Sequence, residues 1–510
     1  MNQAKETAFF DTLQKANAEY TPALSIEERG MIISLSQGVA AVSGLPEVGY
    51  EELVEFPGGV QGIAFNLEAD RVDVVLLGES DQLNPGQPVT RMGRVVDIPV
   101  DDSLIGRVIN PLGEPLDGKP GIDHRERYPI ERPAHPIMHR AAVNTPLQTG
   151  IRVIDALIPI GRGQRELILG DRQTGKTTIA LDTIINQRDK NVICVYCAIG
   201  QRTASVAKVI ATLTKAGAMA YTTVMVSSGD DLPGLRYIAP YAATSIAEYF
   251  MEKGKDVLII YDDLTHHARS YRELSLLLKR PPGREAFPGD IFYIHSRLLE
   301  RSTHLNAAHG GGSITALPVI ETEAQNISAY IPTNLISITD GQLYLSPKLF
   351  DLGVMPAVDV GKSVSRVGGK AQLPIFRSVS GNLKLTYAQF EELESFARFG
   401  TRMDADTQKI IEHGKRIREC FKQGASQPVA VEEQVFLLLA LKAGLMADIP
   451  VTGIPAAIEG LAKALTGASA DLHAALRSGG KLSDNQEAAL QELARLALAD
   501  TTHQTTDIHE

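Results

Sequence analysis

Residues 166–187 read ELILGDRQTGKTTIALDTIINQ, and the order of textures in this stretch decides the fold. A short apolar run ends on a glycine, the loop GDRQTGKT follows at 170–177, and TTIALDTIINQ then places Ile179, Leu181, Ile184 and Ile185 on one side of a helix. Strand, glycine-bounded loop and helix form the setting in which G-x-x-x-x-G-K-T cradles phosphate. Backbone N–H groups around Gly175 converge there at a helix N-terminus. Gly170, Asp171, Arg172, Gln173, Thr174, Gly175, Lys176 and Thr177 are the candidate phosphate-binding residues. Lys176 reaches the β and γ phosphates as a point charge, and the Thr177 hydroxyl is a ligand for Mg²⁺. DVLIIYDD supplies the second part by placing Asp262 at the end of an apolar strand, where it holds the metal directly or through water. Asp263 beside it suits local hydrogen bonding. The cofactor expected is a Mg²⁺-bound nucleotide.

Working outward, the strand-like runs NVICVYCAI, TTVMVSS, DVLIIYDD, SITALPVIE and LISIT alternate with helical stretches between about 95 and 375. That is the pattern of a mostly parallel sheet covered by helices. Before it, MIISLS, VAAVSG, ELVEFP, IAFNLE and VDVVLLG are short and regularly punctuated, which predicts a β-barrel over 26–94. After 376 the β-like runs vanish, and Tyr387, Phe390, Leu393 and Phe396 fall along one helical face. The domains expected are a helical arm at 1–25, the barrel at 26–94, an α/β P-loop nucleotide domain at 95–375 and a helical bundle at 376–510.

A net charge of −11 over 510 residues argues against a generic phosphate-backbone binder, whose affinity comes from clustered Lys and Arg. The apolar runs, such as Val435–Leu441, are far below the ~18 residues of a membrane span. The N-terminus has no export-signal pattern. Cys194 and Cys197 form a C-x-x-C inside a strand, where residues three apart face opposite ways, so both read as core. His266 and His267 are adjacent and diverge, which argues against a shared metal.

Beyond these readings, GQRELILGDRQTGKTTIALDTIINQ, YCAIGQR, LIIYDDL, LLLKRPPGREAFPGDIFYIHSRLLER, ETEAQNISAYIPTNLISITDGQ and PAVDVGKSVSRVGGKAQ carry a resemblance. The chain resembles the alpha-subunit family of the bacterial F-type rotary ATP synthases along nearly its whole length. The resemblance implies that the nucleotide domain is RecA-like and takes Mg-ATP or Mg-ADP, and that three such chains alternate with three catalytic beta subunits in a hexamer around a gamma-subunit shaft. It further implies a peripheral stalk of delta and b subunits that receives the N-terminal arm, and a place at the cytoplasmic face of the cell membrane. The complex makes ATP from ADP and phosphate with a transmembrane ion gradient, or runs in reverse as an ion pump. Phe350 and Gln423 match the adenine side of the nucleotide site. Arg366, in SVSRVGG, matches the arginine that enters the neighbouring beta subunit's catalytic site, and RPPGREAFPGD matches an interface or shaft-facing loop.

Gln201 decides whether the chain turns nucleotide over. Hydrolysis needs a polarised water, and catalytic relatives use a carboxylate where this chain leaves the strand expected beside the phosphate-loop strand. An amide is too weak a base, so this chain is expected to hold Mg-ATP without hydrolysing it. Three departures from the family stand out. Met355 replaces an Arg, Ala425 replaces a Gln, and HLNAAHGGGSIT at 304–315 is short. A looser adenine pocket follows from the first two. The rivals are a self-sufficient hexameric motor, which needs a carboxylate near Gln201, and a structural collar, which needs no intact Lys176, Thr177 and Asp262.

Overall fold

The computed structural model describes residues 28–122, 126–397 and 405–506; the helical arm expected at 1–25 lies outside them. Two units are distinguished, meeting in sequence between Val95 and Val96.

In the first unit, β1 (Arg29–Ser36), β2 (Val39–Ser43), β3 (Glu52–Glu55), β4 (Gln61–Leu67), β5 (Val72–Leu76) and β6 (Pro88–Val95) close into a barrel. Their order is β1-β2-β5-β4-β3-β6, and β6 pairs back onto β1. Val42, Val54, Val74, Leu76 and Val89 fill the interior without exposure. The last strand was not among the expected runs. PVTRMGRV contains Pro, Gly and two Arg, and most of it is half-buried or exposed, so apolar alternation fades there. Arg91 fixes it instead, donating from Nε and Nη2 to the two oxygens of Glu52, each at 2.9 Å.

The second unit is built on a sheet whose strands are β7 (Val108–Ile109), β8 (Glu166–Gly170), β9 (Val192–Gln201), β10 (Thr222–Ser228), β11 (Asp256–Asp262), β12 (Ser313–Glu321), β13 (Gly341–Leu345) and β14 (Val364–Ser365). The order is β14-β13-β8-β12-β11-β9-β10-β7, parallel except for the β13–β14 pair. The inner strands are buried on both faces, which is why ELILG and VLIIY read as continuous apolar runs. Cys194 and Cys197 are buried, free thiols in β9.

Two expectations need correction. LISIT is not a strand: Leu335–Ile338 closes a helix running Tyr330–Ile338, and the strand is the following GQLYL. Ile331, Leu335 and Ile338 are buried at helical spacing, and that periodicity overrides the β-propensity of the isoleucines. Likewise, the strand of Gln201 is not beside the phosphate-loop strand. β12 and β11 stand between β9 and β8, because parallel strands joined by helical crossovers need not be spatial neighbours.

Helices dominate from 374 onward. Tyr387 and Phe390 in the helix Leu383–Ala397 pack into the same core as Ile168 and Ile179. The apolar run Val435–Leu441 lies in the helix Val431–Lys442 and is buried on every side, as a central helix is. Among the described residues no helix is long and apolar enough to cross a membrane.

Candidate functional site

β8 ends at Gly170 beneath the loop, and the helix Lys176–Ile185, called α1, begins directly after Gly175. Gly175 has φ of 97°, in the left-handed region that favours glycine, and this turn aims the loop amides along the start of α1. A Cβ on Gly170 would come within 2.9 Å of Leu345 and of the Thr174 hydroxyl, so that glycine permits a close approach. The Thr174 hydroxyl donates to Asp171 O at 2.8 Å. Asp171 accepts from the Thr322 hydroxyl at 2.5 Å and from Gln325 N at 3.0 Å, tying the loop to the chain after β12. Arg172 is exposed and pairs with Glu321 at 3.1 Å, and Gln173 holds a positive φ of 63°.

Lys176 is only 7% exposed, and its Nζ donates to Gly170 O at 2.9 Å and Asp171 O at 2.6 Å. Burial pulls its pKa down, opposed by Glu321, Asp263, Asp262 and Asp171. An ammonium folded back over its own loop and a helix N-terminus make an anion site.

Across from the loop, the Thr177 hydroxyl donates to Asp262 Oδ2 at 2.8 Å, and the Tyr196 hydroxyl donates to the same oxygen at 2.7 Å. Gln201 Nε2 lies 3.3 Å from both Asp262 O and Oδ1. Burial and the adjacent Asp263 push the Asp262 carboxyl up, against the hydrogen bonds from Tyr196 and Thr177 and the charge of Lys176. A hydroxyl and a carboxylate converging beside a phosphate cradle are hard oxygen donors, and these residues fit Mg²⁺. Asp263 accepts from His266 N at 2.9 Å and meets His266 Nδ1 at 2.7 Å, while His267 turns to His295 and Tyr237 O. The two histidines do diverge.

Beyond the other end of the loop lies a hollow lined by Ile151, Ile179, Phe350, Met355, Pro356 and Ala425, with Asp182 in its wall. Gln423 also lines it, but its amide is already engaged. Its Nε2 donates to Gly150 O and Gln427 O at 2.8 and 2.7 Å, and its Oε1 accepts from Arg152 N at 3.1 Å. Asp182 accepts from Ser426 N at 2.8 Å, and burial pushes its carboxyl up to about 6.

Arg366 is exposed and stands apart from this cluster, immediately after β14 at the sheet's outer side. Its guanidinium donates to Thr339 O at 2.9 Å and Ile336 O at 3.4 Å, carbonyls at the C-terminal end of the helix Tyr330–Ile338. Sequence reading missed Tyr196 and Asp182. Tyr196 lies in an otherwise unremarkable apolar strand, and its one signal is a hydroxyl on a strand neighbouring that of Asp262. Asp182 is a lone carboxylate on the apolar side of α1.

Compared with known proteins, residues 25–93, 150–365 and 372–497 match the beta-barrel, nucleotide-binding and C-terminal domain models of the ATP synthase alpha/beta family. A protein of Marinomonas sp. (strain MWYL1), "ATP synthase subunit alpha 1", is 65% identical over 98% of both chains. The chain belongs to the ATP synthase alpha/beta family. "ATP synthase subunit alpha 2" of Albidiferax ferrireducens is 64% identical over 96% of this chain and 92% of its own. "ATP synthase subunit alpha 1" of Shewanella frigidimarina is 62% identical over 98% and 97%. Within the ATP synthase alpha/beta family the nucleotide-binding model spans the whole phosphate loop, Asp262 and Phe350, and it stops one residue before Arg366. Gln423 falls in the C-terminal model.

Proposed function

We propose that this chain is the non-catalytic, nucleotide-holding alpha subunit of a bacterial F-type ATP synthase. The observation that supports the non-catalytic part is Gln201, an amide hydrogen-bonded to Asp262 where the resemblance calls for a carboxylate in catalytic relatives. The identity with proteins named as alpha subunits supports the rest. Lys176 and the amides at the start of α1 bind the phosphates. Thr177 and Asp262 would hold Mg²⁺, which when bound offsets phosphate charge. Phe350, Met355 and Pro356 offer the base an apolar seat, and Gln423 shapes that seat through its backbone contacts. Bound nucleotide favours whichever interface geometry binds it better, which is the physical basis of a regulatory role.

In the assembly proposed, three such chains alternate with three beta subunits around gamma. Delta and b subunits form the peripheral stalk, and the complex works at the cytoplasmic face of the membrane. Arg366 supplies the catalytic contribution in trans. Exposed beside a sheet edge, it has a planar fork of donors that stabilises charge on the transferring phosphoryl group of the neighbouring site. Such a finger is worth ~10³ to 10⁵ in rate, about 4 to 7 kcal/mol of barrier.

Two measurements test this reading. The purified chain alone, at saturating Mg-ATP, binds nucleotide and does not hydrolyse it; turnover that disappears with Lys176→Ala would make the chain its own motor. In the assembled complex, Arg366→Ala leaves nucleotide content near wild type and collapses hydrolysis. Turnover within about tenfold of wild type is below the smallest finger effect and would remove that assignment.

A further inference from the structure

Glu166 opens the phosphate-loop strand, yet its carboxyl takes no part in the phosphate site. It is fully buried; Gln164 Nε2 donates to its Oε2 at 2.7 Å, and its Oε1 has no hydrogen-bond partner. Sheet register pairs Glu166 with Gly341 and Gly341 with Ser365, the residue before Arg366. A Cβ on Gly341 would come within 2.4 Å of Glu166 Oε2 and 2.3 Å of Val364 O. The glycine therefore leaves room for the carboxyl to lie over β13, toward β14.

The same Gln164 amide donates to Ser365 Oγ at 3.2 Å. Ser365 Oγ donates to Pro159 O at 2.8 Å and accepts from Gly368 N at 3.1 Å. Arg366 is thus bracketed by anchors on both sides, and its own N–H donates to Asp340 O at 2.8 Å. Burial holds the Glu166 carboxyl well above the usual carboxylate range, with Asp340 adding to the rise and Gln164, Lys384 and Arg366 opposing it. The Arg366 guanidinium turns to Thr339 O and Ile336 O, away from this carboxyl.

We propose that Glu166 is a positioning residue: a buried acceptor that, through Gln164 and Ser365, sets the direction in which Arg366 leaves the sheet. This rests on the reading of Arg366 as an in-trans finger. Such a group stabilises the transition state alone, so loss of its aim lowers kcat and spares KM.

The test is steady-state hydrolysis by the assembled complex carrying Glu166→Met, Glu166→Gln or Arg366→Ala, with bound nucleotide counted as the check on assembly. Glu166→Met, close in shape without the acceptor, is expected to lower kcat about tenfold with KM within about twofold of wild type, the scale of a misplaced catalytic group. Glu166→Gln keeps a neutral acceptor and is expected to restore most of kcat. If Glu166→Met assembles poorly, Gln164→Leu cuts the same link and carries the same expectation. Wild-type kcat in Glu166→Met or Gln164→Leu, or a Glu166→Gln as impaired as Glu166→Met, overturns the proposal. Arg366→Ala separates the two readings. Its failure to reduce turnover sinks the finger, and the positioning role falls with it. Collapse in Arg366→Ala with no effect at Glu166 sinks the positioning role alone.

Discussion

In the proposed nucleotide site the phosphate end and the base end are built in opposite ways. At the phosphate end, residues 170–177 form one continuous stretch in which Lys176, Thr174 and Thr177 are all hydrogen-bonded within the protein. At the base end, the wall is assembled from α1, the segment after Phe350 and the segment around Gln423, and most of its surface is apolar. A preorganised polar cradle is specified by a short motif. An apolar seat is specified by packing, and its chemistry drifts more easily because no single residue is indispensable to it.

The largest blow to this contrast comes from Lys176→Ala, which removes the buried ammonium. Mg-ATP binding should weaken ~10²-fold, about 3 kcal/mol, as charge-assisted hydrogen bonds to phosphate are lost. Calorimetric titration decides it, and weakening by less than about threefold would mean the cradle does not carry affinity. Met355→Arg acts at the other end. Met355 is 45% exposed at the rim of the hollow, and a guanidinium there adds a planar stacking and hydrogen-bonding group. ATP preference over GTP should rise roughly threefold to tenfold, about 1 kcal/mol, in competition binding. An unchanged ratio would show that the base is already read elsewhere.

The smallest effect concerns Asp182. Its carboxyl is pushed up to about 6 by burial, above an unfolded value of about 3.9. The folded chain therefore holds that proton more tightly than the unfolded chain. Stability from this group is full below about pH 4 and is lost as pH rises to about 6. Asp182→Asn removes that slope, so melting curves of variant and wild type should diverge by about 1 to 2 °C across the window and run parallel above it. A constant difference across the window would show that Asp182 ionises without cost.

What was legible in the sequence follows the same contrast. The barrel, the helix-covered sheet and the helical C-terminal region were readable from texture, and the phosphate loop from its spacing. Thr177 and Asp262 were expected together and lie 2.8 Å apart. LISIT misled because isoleucine suits strands and buried helix faces alike, and only the register of Ile331, Leu335 and Ile338 tells them apart. The neighbour of the Gln201 strand was out of reach, since order within a parallel sheet depends on crossovers that leave no local mark. Gln423 was matched to the adenine side, and only the fold shows its amide spent on Gly150, Gln427 and Arg152. Glu166 gave no signal beyond a charged residue opening an apolar strand.

The two outermost strands of the large sheet, Val108–Ile109 and Val364–Ser365, are each two residues long. Such stubs leave little unpaired backbone for another chain to extend, which is the usual route to fibrous aggregation. For the assembly proposed here, that brevity protects a newly made subunit from capture by a copy of itself. Association must then proceed through side chains and loops, where charge and shape tell the right companion from another copy of itself.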